Sequence, residues 1–212
     1  MYAAKDFRAC SNFKYAFSTR QETPIHFVGV WDTVSSFGRF TNFQTLPETR
    51  NNRLVKHIRH AVALDERRAC FQANLFGREF ADQQDIKEEW FPGSHSDVGG
   101  GYPEMQSGIS KYTLRWMLND ARGLGCRFID DQVNFFLGEL DAEIEQCNPN
   151  FYADPHYSIR GFLYNFLEFM PRRYWNHGIE PERMTWRWPN LYRRRKVPQA
   201  AVIHEPIEAN EA

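Results

Sequence analysis

Neither sign of charge prevails in these 212 residues: 26 Lys and Arg stand against 27 Asp and Glu, for a net charge of -1. No overall field therefore draws the chain to nucleic acid or to an acidic polymer. Cysteine is sparse. Cys10, Cys70, Cys126 and Cys147 are widely separated and form no CxxC pair, a spacing that offers neither a zinc site nor a disulfide framework and points to a reducing compartment. No basic-then-apolar leader opens the chain, and no apolar stretch reaches the length that spans a bilayer, so the sequence reads as soluble. Internal repeats, low-complexity linkers and phosphate-binding glycine motifs are absent, and nothing in the sequence asks for a cofactor or a metal.

Aromatic residues, by contrast, are abundant. They make up 16% of the chain, with 18 Phe, 9 Tyr and 6 Trp, and must fill a core, line a pocket or face a partner. The densest chemistry lies between Asp85 and Tyr102, DIKEEWFPGSHSDVGGGY. Ile86 to Phe91 reads as a strand that Pro92 and Gly93 terminate, presenting His95, Ser96 and Asp97 on the loop that follows. His95 there suits a general base in a crowded site. It equally suits a surface histidine bonded to its own backbone.

Upstream, Ile25 to Trp31 forms a nearly continuous apolar run, the pattern of a parallel strand covered on both faces. Asp32 stands at its carboxyl end. Sites in open α/β sheets form outside the carboxyl ends of strands, so Asp32 and His95 are positioned to converge. Asp32 followed by Thr33 also fits a simple cap of a turn or helix.

The rest of the chain is read around these two stretches. Residues 1 to 20 place Phe7, Phe13, Tyr15 and Phe17 among Lys and Arg, as in a short amphipathic helix, and Ser35 to Arg53 reads as a long polar loop over the site face. Leu54 to Asn74 carries apolar residues near helical spacing. On that helix Asp65 to Arg68 forms a solvated face, and His57 and His60 lie one turn apart without a carboxylate-rich or cysteine partner for a metal. Ser110 caps a helix from Lys111 to Leu124, stopped by Gly125, and a further helix runs from Asp130 to Cys147 until Pro149 to Pro155 breaks it. From Tyr157 to Tyr192 aromatics interleave with Arg and Lys, which fits core or a lid over a pocket, or an interfacial lipid-binding element. Residues 205 to 212 form a frayed acidic tail.

Three phrases in order, FVGVWDTVSSFG (Phe27 to Gly38), RHAVALDERR (Arg59 to Arg68) and WFPGSHSDVGGGYPE (Trp90 to Glu104), resemble the DUF2235 family of α/β-hydrolase-like proteins. That family includes the Tle1-type phospholipase effectors of type VI secretion. The section from Arg195 to His204 is also similar. The resemblance implies an ester hydrolase with Ser, Asp and His in that chain order. Asp32 corresponds to the acid of the WDTV motif and His95 to the histidine of HSDVGGGY. It also implies a cytoplasmic protein in the producing cell, with any export independent of a signal peptide, an ester or phospholipid substrate, and peripheral contact with a membrane.

The family carries its serine in a GxSxG elbow, typically GFSRGA, upstream of the WDTV strand. No GxSxG occurs here, and Ser11, Ser18, Ser35 and Ser36 lack the flanking glycines of such an elbow. The expected fold is thus a partial α/β-hydrolase-like fold, a mainly parallel sheet flanked by helices that lacks the N-terminal strands and the elbow. Residues 1 to 212 would form one truncated DUF2235 domain with an aromatic-rich section from about residue 150. Two functions follow. One is an ester hydrolase of the phospholipase type whose serine, absent from this chain, comes from an upstream-encoded polypeptide. The other is a catalytically silent fragment or binding module built on the same fold.

Overall fold

The computed structural model describes residues 7–19, 22–34, 37–39, 42–44, 52–69, 71–77, 82–140, 145–157, 168–169, 171–176 and 183–206. Helix α1 (Phe7–Phe17) precedes strand β1 (Ile25–Trp31), as the sequence suggests. The stretch read as a polar loop holds a short antiparallel pair, β2 (Phe37–Arg39) and β3 (Asn42–Gln44). Strands β4 (Val55–Ala63) and β5 (Asp85–Phe91) follow, then the short helix α2 (His95–Gly99), helix α3 (Gly108–Gly123) and helix α4 (Asp130–Leu137). An antiparallel pair, β6 (Arg172–Asn176) and β7 (Arg183–Arg187), and a two-residue strand β8 (Val202–Ile203) complete the order.

The architecture is α/β, with a four-stranded parallel sheet in the order β1-β4-β5-β8. Because side chains alternate across a strand, neighbours in β4 and β5 feed opposite faces. Ala61, Ala63 and Phe91 join Val98, Trp116 and Met117 on the face covered by α2 and α3. Val62 and Trp90 pack with Ala73 and Leu75 on the other face, together with Leu64, Val197 and Ala201. A helical layer and a layer of irregular chain thus sandwich the strand ends that carry the site.

β4 overturns the helix expected over Leu54 to Asn74. Its sequence VKHIRHAVA mixes polar and apolar residues because the polar ones meet partners beside them in the sheet. His57 pairs with Asp85 at 3.0 Å and His60 with Glu88 at 2.9 Å, each against its register partner on β5. Arg59 is buried against Asp85 and Asp120. Burial alone would lower its pKa, but the two carboxylates outweigh that and raise it. A charged residue inside a sheet is tolerated when paired in this way, and the pairing erases the period-2 signal.

Other boundaries shift for local reasons. α3 begins at Gly108, so Ser110 is inside the helix, where its hydroxyl donates back to the Ser107 carbonyl at 3.0 Å. α4 stops at Leu137, well short of Cys147, because Gly138 takes a left-handed φ of 75° as its cap. β1 is half-buried along Phe27 to Trp31 rather than covered on both faces. It pairs only with β4 among the described residues. Much of the aromatic stretch from Tyr157 to Tyr174, and most of the acidic tail, lie outside the described residues.

Candidate functional site

Asp32 leaves β1 with φ 41°, a left-handed conformation that Asp tolerates better than most residues. The turn drives its carboxylate inward, where it is 0% exposed. Oδ1 accepts the Ala63 amide at 2.9 Å, so the acid is fixed to the end of β4. Oδ2 accepts from His95 Nδ1 at 2.6 Å. Arg195 reaches both oxygens, Nη1 to Oδ1 and Nη2 to Oδ2, the latter at 3.0 Å. Its own guanidinium is held by the carbonyls of Ala63 at 3.1 Å and Phe71 at 2.8 Å. Burial by itself would raise the Asp32 pKa. The Arg195 charge and the hydrogen bonds from His95, Arg195 and Ala63 reverse that and hold the carboxyl well below its ordinary range.

His95 is delivered by the end of β5. Pro92 and Gly93 break the strand, and Gly93 sits at φ 104°, where an added Cβ would lie 2.5 Å from that of Asp97. Only glycine fits there. The Gly93 amide donates to Asp65 Oδ2 at 2.9 Å. Rather than hanging on a loop, His95 opens α2. Its amide donates to Glu66 Oε2 at 3.1 Å, and its ring meets the edge of Phe71 at 4.9 Å. Phe71 in turn lies 3.6 Å from the guanidinium carbon of Arg68, which chelates Glu66 through Nε at 2.9 Å and Nη2 at 2.7 Å. Burial would raise the Glu66 pKa, but the Arg68 contacts and the His95 amide bring it down.

The result is an imidazole with one committed nitrogen and one available. Nδ1 donates to Asp32, while Nε2 has no hydrogen-bond partner among the described residues and the side chain is 30% exposed. A ring held in this tautomer presents the Nε2 lone pair outward as a proton acceptor.

The structure thus brings Asp32 and His95 together at the carboxyl end of the parallel strands. It also corrects the reading of Asp65 to Arg68 as a solvated helical face, because Glu66 is 1% and Arg68 9% exposed. These residues lie in the chain leaving β4, where the strand end turns them beneath His95. His57 and His60 fall on a strand, each bound to a carboxylate, and Thr33 N–H donates to His60 Nε2 at 3.2 Å. Among the described residues no group of three or more His, Cys, Asp or Glu could hold a metal. Ser35 and Ser36 lie outside the described residues.

Arg195 and Glu66 lie in stretches that resemble the family, but the sequence assigns neither a role. Arg195 is separated from Asp32 by 163 positions, and only the DERR cluster hinted at Glu66. A second pair also went unread. Asp97, a buried residue of α2, accepts from His156 Nδ1 at 2.6 Å. Its other oxygen receives Ser94 N–H at 2.7 Å, Ser94 Oγ at 2.8 Å and the His156 amide at 3.0 Å.

No solved structure matches the chain. A protein of Saccharomyces cerevisiae, Uncharacterized protein YEL023C, is 42% identical over 64 residues, which is 30% of this chain and 9% of that relative. The chain therefore corresponds to a small part of that protein's length. The family described as T6SS, Phospholipase effector Tle1-like, catalytic domain has a model that matches residues 2–120. That span contains Asp32, Glu66 and His95 and leaves Arg195 outside. With more than half its length matched, the chain belongs to the Tle1-like phospholipase effector catalytic-domain family.

Proposed function

We propose that this chain supplies the base and the acid of a serine ester hydrolase acting on phospholipids, with His95 and Asp32 in those roles. The observation that carries the reading is the state of His95, with Nδ1 bound to a buried, ionised Asp32 and Nε2 without a hydrogen-bond partner among the described residues, on a side chain 30% exposed. In the reaction a serine hydroxyl attacks the ester carbonyl and its proton passes to His95 Nε2. The carbonyl π pair moves to oxygen. When the tetrahedral centre collapses, the imidazolium returns the proton to the departing alcohol, and water then hydrolyses the acyl-enzyme by the same route. Asp32 keeps the ring in the required tautomer and favours its charged form. Arg195 keeps Asp32 ionised although it is buried.

No GxSxG elbow occurs in these 212 residues, so the reading takes the serine from a second polypeptide. The described parts of residues 1 to 206 are read as one α/β-hydrolase-like domain, because β8 returns to pair with β5 and Arg195 returns to Asp32. Peripheral contact with lipid belongs to the same reading. Trp186 is 71% and Trp188 65% exposed, near exposed Arg183, Arg193 and Arg194, a combination that suits a lipid surface. Among the described residues no helix is long and apolar enough to cross a membrane.

The missing elbow favours one other reading, a catalytically silent binding module. Fluorophosphonate labelling separates the two. The chain alone should remain unlabelled, and mixing it with a polypeptide that carries the GxSxG half should label that partner's serine, an effect lost in His95→Ala. Stoichiometric labelling of the chain alone would overturn the two-polypeptide reading. Absence of labelling in the mixture would favour the silent module.

A further inference from the structure

Three arginines near the sheet are neutralised by carboxylates: Arg59 by Asp85 and Asp120, Arg68 by Glu66, and Arg195 by Asp32. Arg67 is not. It is half-buried, and its Nε is buried with no hydrogen-bond partner. Among the described residues its guanidinium forms no ion pair or hydrogen bond and lies over the Tyr157 ring, 5.4 Å from the centroid.

The carboxylates around it are committed elsewhere. Glu66 takes two donors from the Arg68 side chain and the amides of Arg67, Arg68 and His95. Asp65 pairs with Arg194 at 3.0 Å and accepts the Gly93 amide. Glu168 accepts from Ala69 N–H at 2.7 Å, Tyr192 N–H at 3.0 Å and Asn190 Nδ2. A guanidinium with an orphaned buried donor is costly to keep unless something outside the chain satisfies it.

Its position says what that something is. The amides of Arg67 and His95 donate to the two oxygens of the same Glu66 carboxylate, at 3.0 Å and 3.1 Å. Asn190 Nδ2 fixes the Arg67 carbonyl at 3.1 Å. The backbone that carries the free cation is thus tied to the backbone that carries the free imidazole nitrogen. Tyr157, 64% exposed, has its ring centroid 5.4 Å from the Arg67 guanidinium carbon, and a guanidinium is a planar fork of donors. Such a fork matches two oxygens of a phosphate.

We propose that Arg67 binds the headgroup phosphate of the phospholipid whose ester carbonyl is presented to the His95 site. The proposal rests on the ester-hydrolase reading of His95, and it makes Arg67 the residue that distinguishes a phospholipid from a neutral ester.

The test is binding by the intact chain, read by NMR at the Arg67 Nε–H and His95 ring resonances. The probes are dihexanoylphosphatidylcholine, dihexanoylglycerol and inorganic phosphate. Phosphatidylcholine should shift both sets of resonances, and Arg67→Met should weaken its binding by about tenfold or more, the loss expected for a charged hydrogen bond. Binding of dihexanoylglycerol should be the same in wild type and variant. Arg67→Lys, which keeps the charge without the fork, should fall between. Among the described residues the Arg67 side chain makes no hydrogen bond or ion pair, so Arg67→Met should unfold close to the wild-type temperature, and the wild-type resonance needs no variant at all.

Equal phosphatidylcholine affinity in Arg67→Met would overturn the proposal while leaving the ester reading intact. Shifts at Arg67 with no response of the His95 ring to either lipid would count against the ester reading and place the anion site apart from it. A response to inorganic phosphate as strong as that to phosphatidylcholine would identify a free-phosphate site and overturn the headgroup assignment.

Discussion

One turn of helix, α2, contributes one member to each of two histidine–aspartate pairs that share their central geometry and differ in what surrounds it. In both, Nδ1 lies 2.6 Å from a carboxylate oxygen, the histidine side chain is about a third exposed (30% and 31%) and the acid is buried (0% and 1%). Asp97 and His156 close on themselves. His156 Nε2 is bonded to Gln106 at 3.1 Å and its ring is stacked on Tyr102 at 3.9 Å, so neither nitrogen is left for a substrate. Asp97 receives only local donors and a partner's own amide, as a latch would. Asp32 and His95 remain open, with a free Nε2 on one side and an arginine behind the acid on the other. A His–Asp contact alone therefore does not mark a proposed base. What sets the Asp32 pair apart is the outer nitrogen left unsatisfied among the described residues and the arginine that keeps a buried acid charged.

The largest expected break in this comparison is kinetic. When the chain is assembled with a serine-bearing partner, His95→Ala should lower ester turnover by about 10³-fold or more, as loss of a base that works in concert with its nucleophile does. His156→Ala should leave turnover close to wild type. Comparable losses from both, measured with the same substrate, would erase the distinction.

Next in size is Arg195→Leu. Removing one partner of a buried ion pair strands the other charge, at a cost of about 3–5 kcal/mol, to be read from urea unfolding at neutral pH. The same variant sharpens the pH behaviour. In the wild type the folded-state Asp32 and Glu66 carboxyls lie below their ordinary values of 3.8 and 4.5. Their stabilisation is full above those values and drains away as pH falls from there through the lower folded-state values. In Arg195→Leu, burial is left to dominate at Asp32 and raises its pKa, so its contribution changes sign and acidification should recover part of the lost stability. Parallel losses for both proteins across the acid range would refute the role given to Arg195.

The smallest expected effect lies on the latch side. Ser94→Ala removes one of several donors to Asp97 and should cost about 1 kcal/mol, as at a helix cap, without changing turnover. A large loss of activity would show that the latch also sets the position of His95.

The ends of this site were legible in sequence and its middle was not. β1 and β5 announce themselves because their apolar runs stop at Asp32 and at Pro92-Gly93, and α3 because Trp116, Met117 and Ala121 share one face. β4 hid because Leu54, Ile58, Val62 and Ala63 fall near helical spacing, and His57, Arg59 and His60 break the strand alternation until their partners on β5 and α3 are known. Glu66 and Arg68 hid for the same reason, since a charge cluster in a sequence says nothing of the donors that fold over it. Arg195 depends on a contact across 163 positions, which no local pattern encodes.

That last contact also bears on the order of events during synthesis. Asp32 is made well before Arg195 and β8, and until they follow it would find itself beneath a forming sheet with no counter-charge. Closing so long a loop is slow, because its entropic cost precedes its reward. The acid would stay hydrated, and the sheet around it loosely shut, until the last segment docks. Within these residues, the Asp32 site matures only after Arg195 has been made.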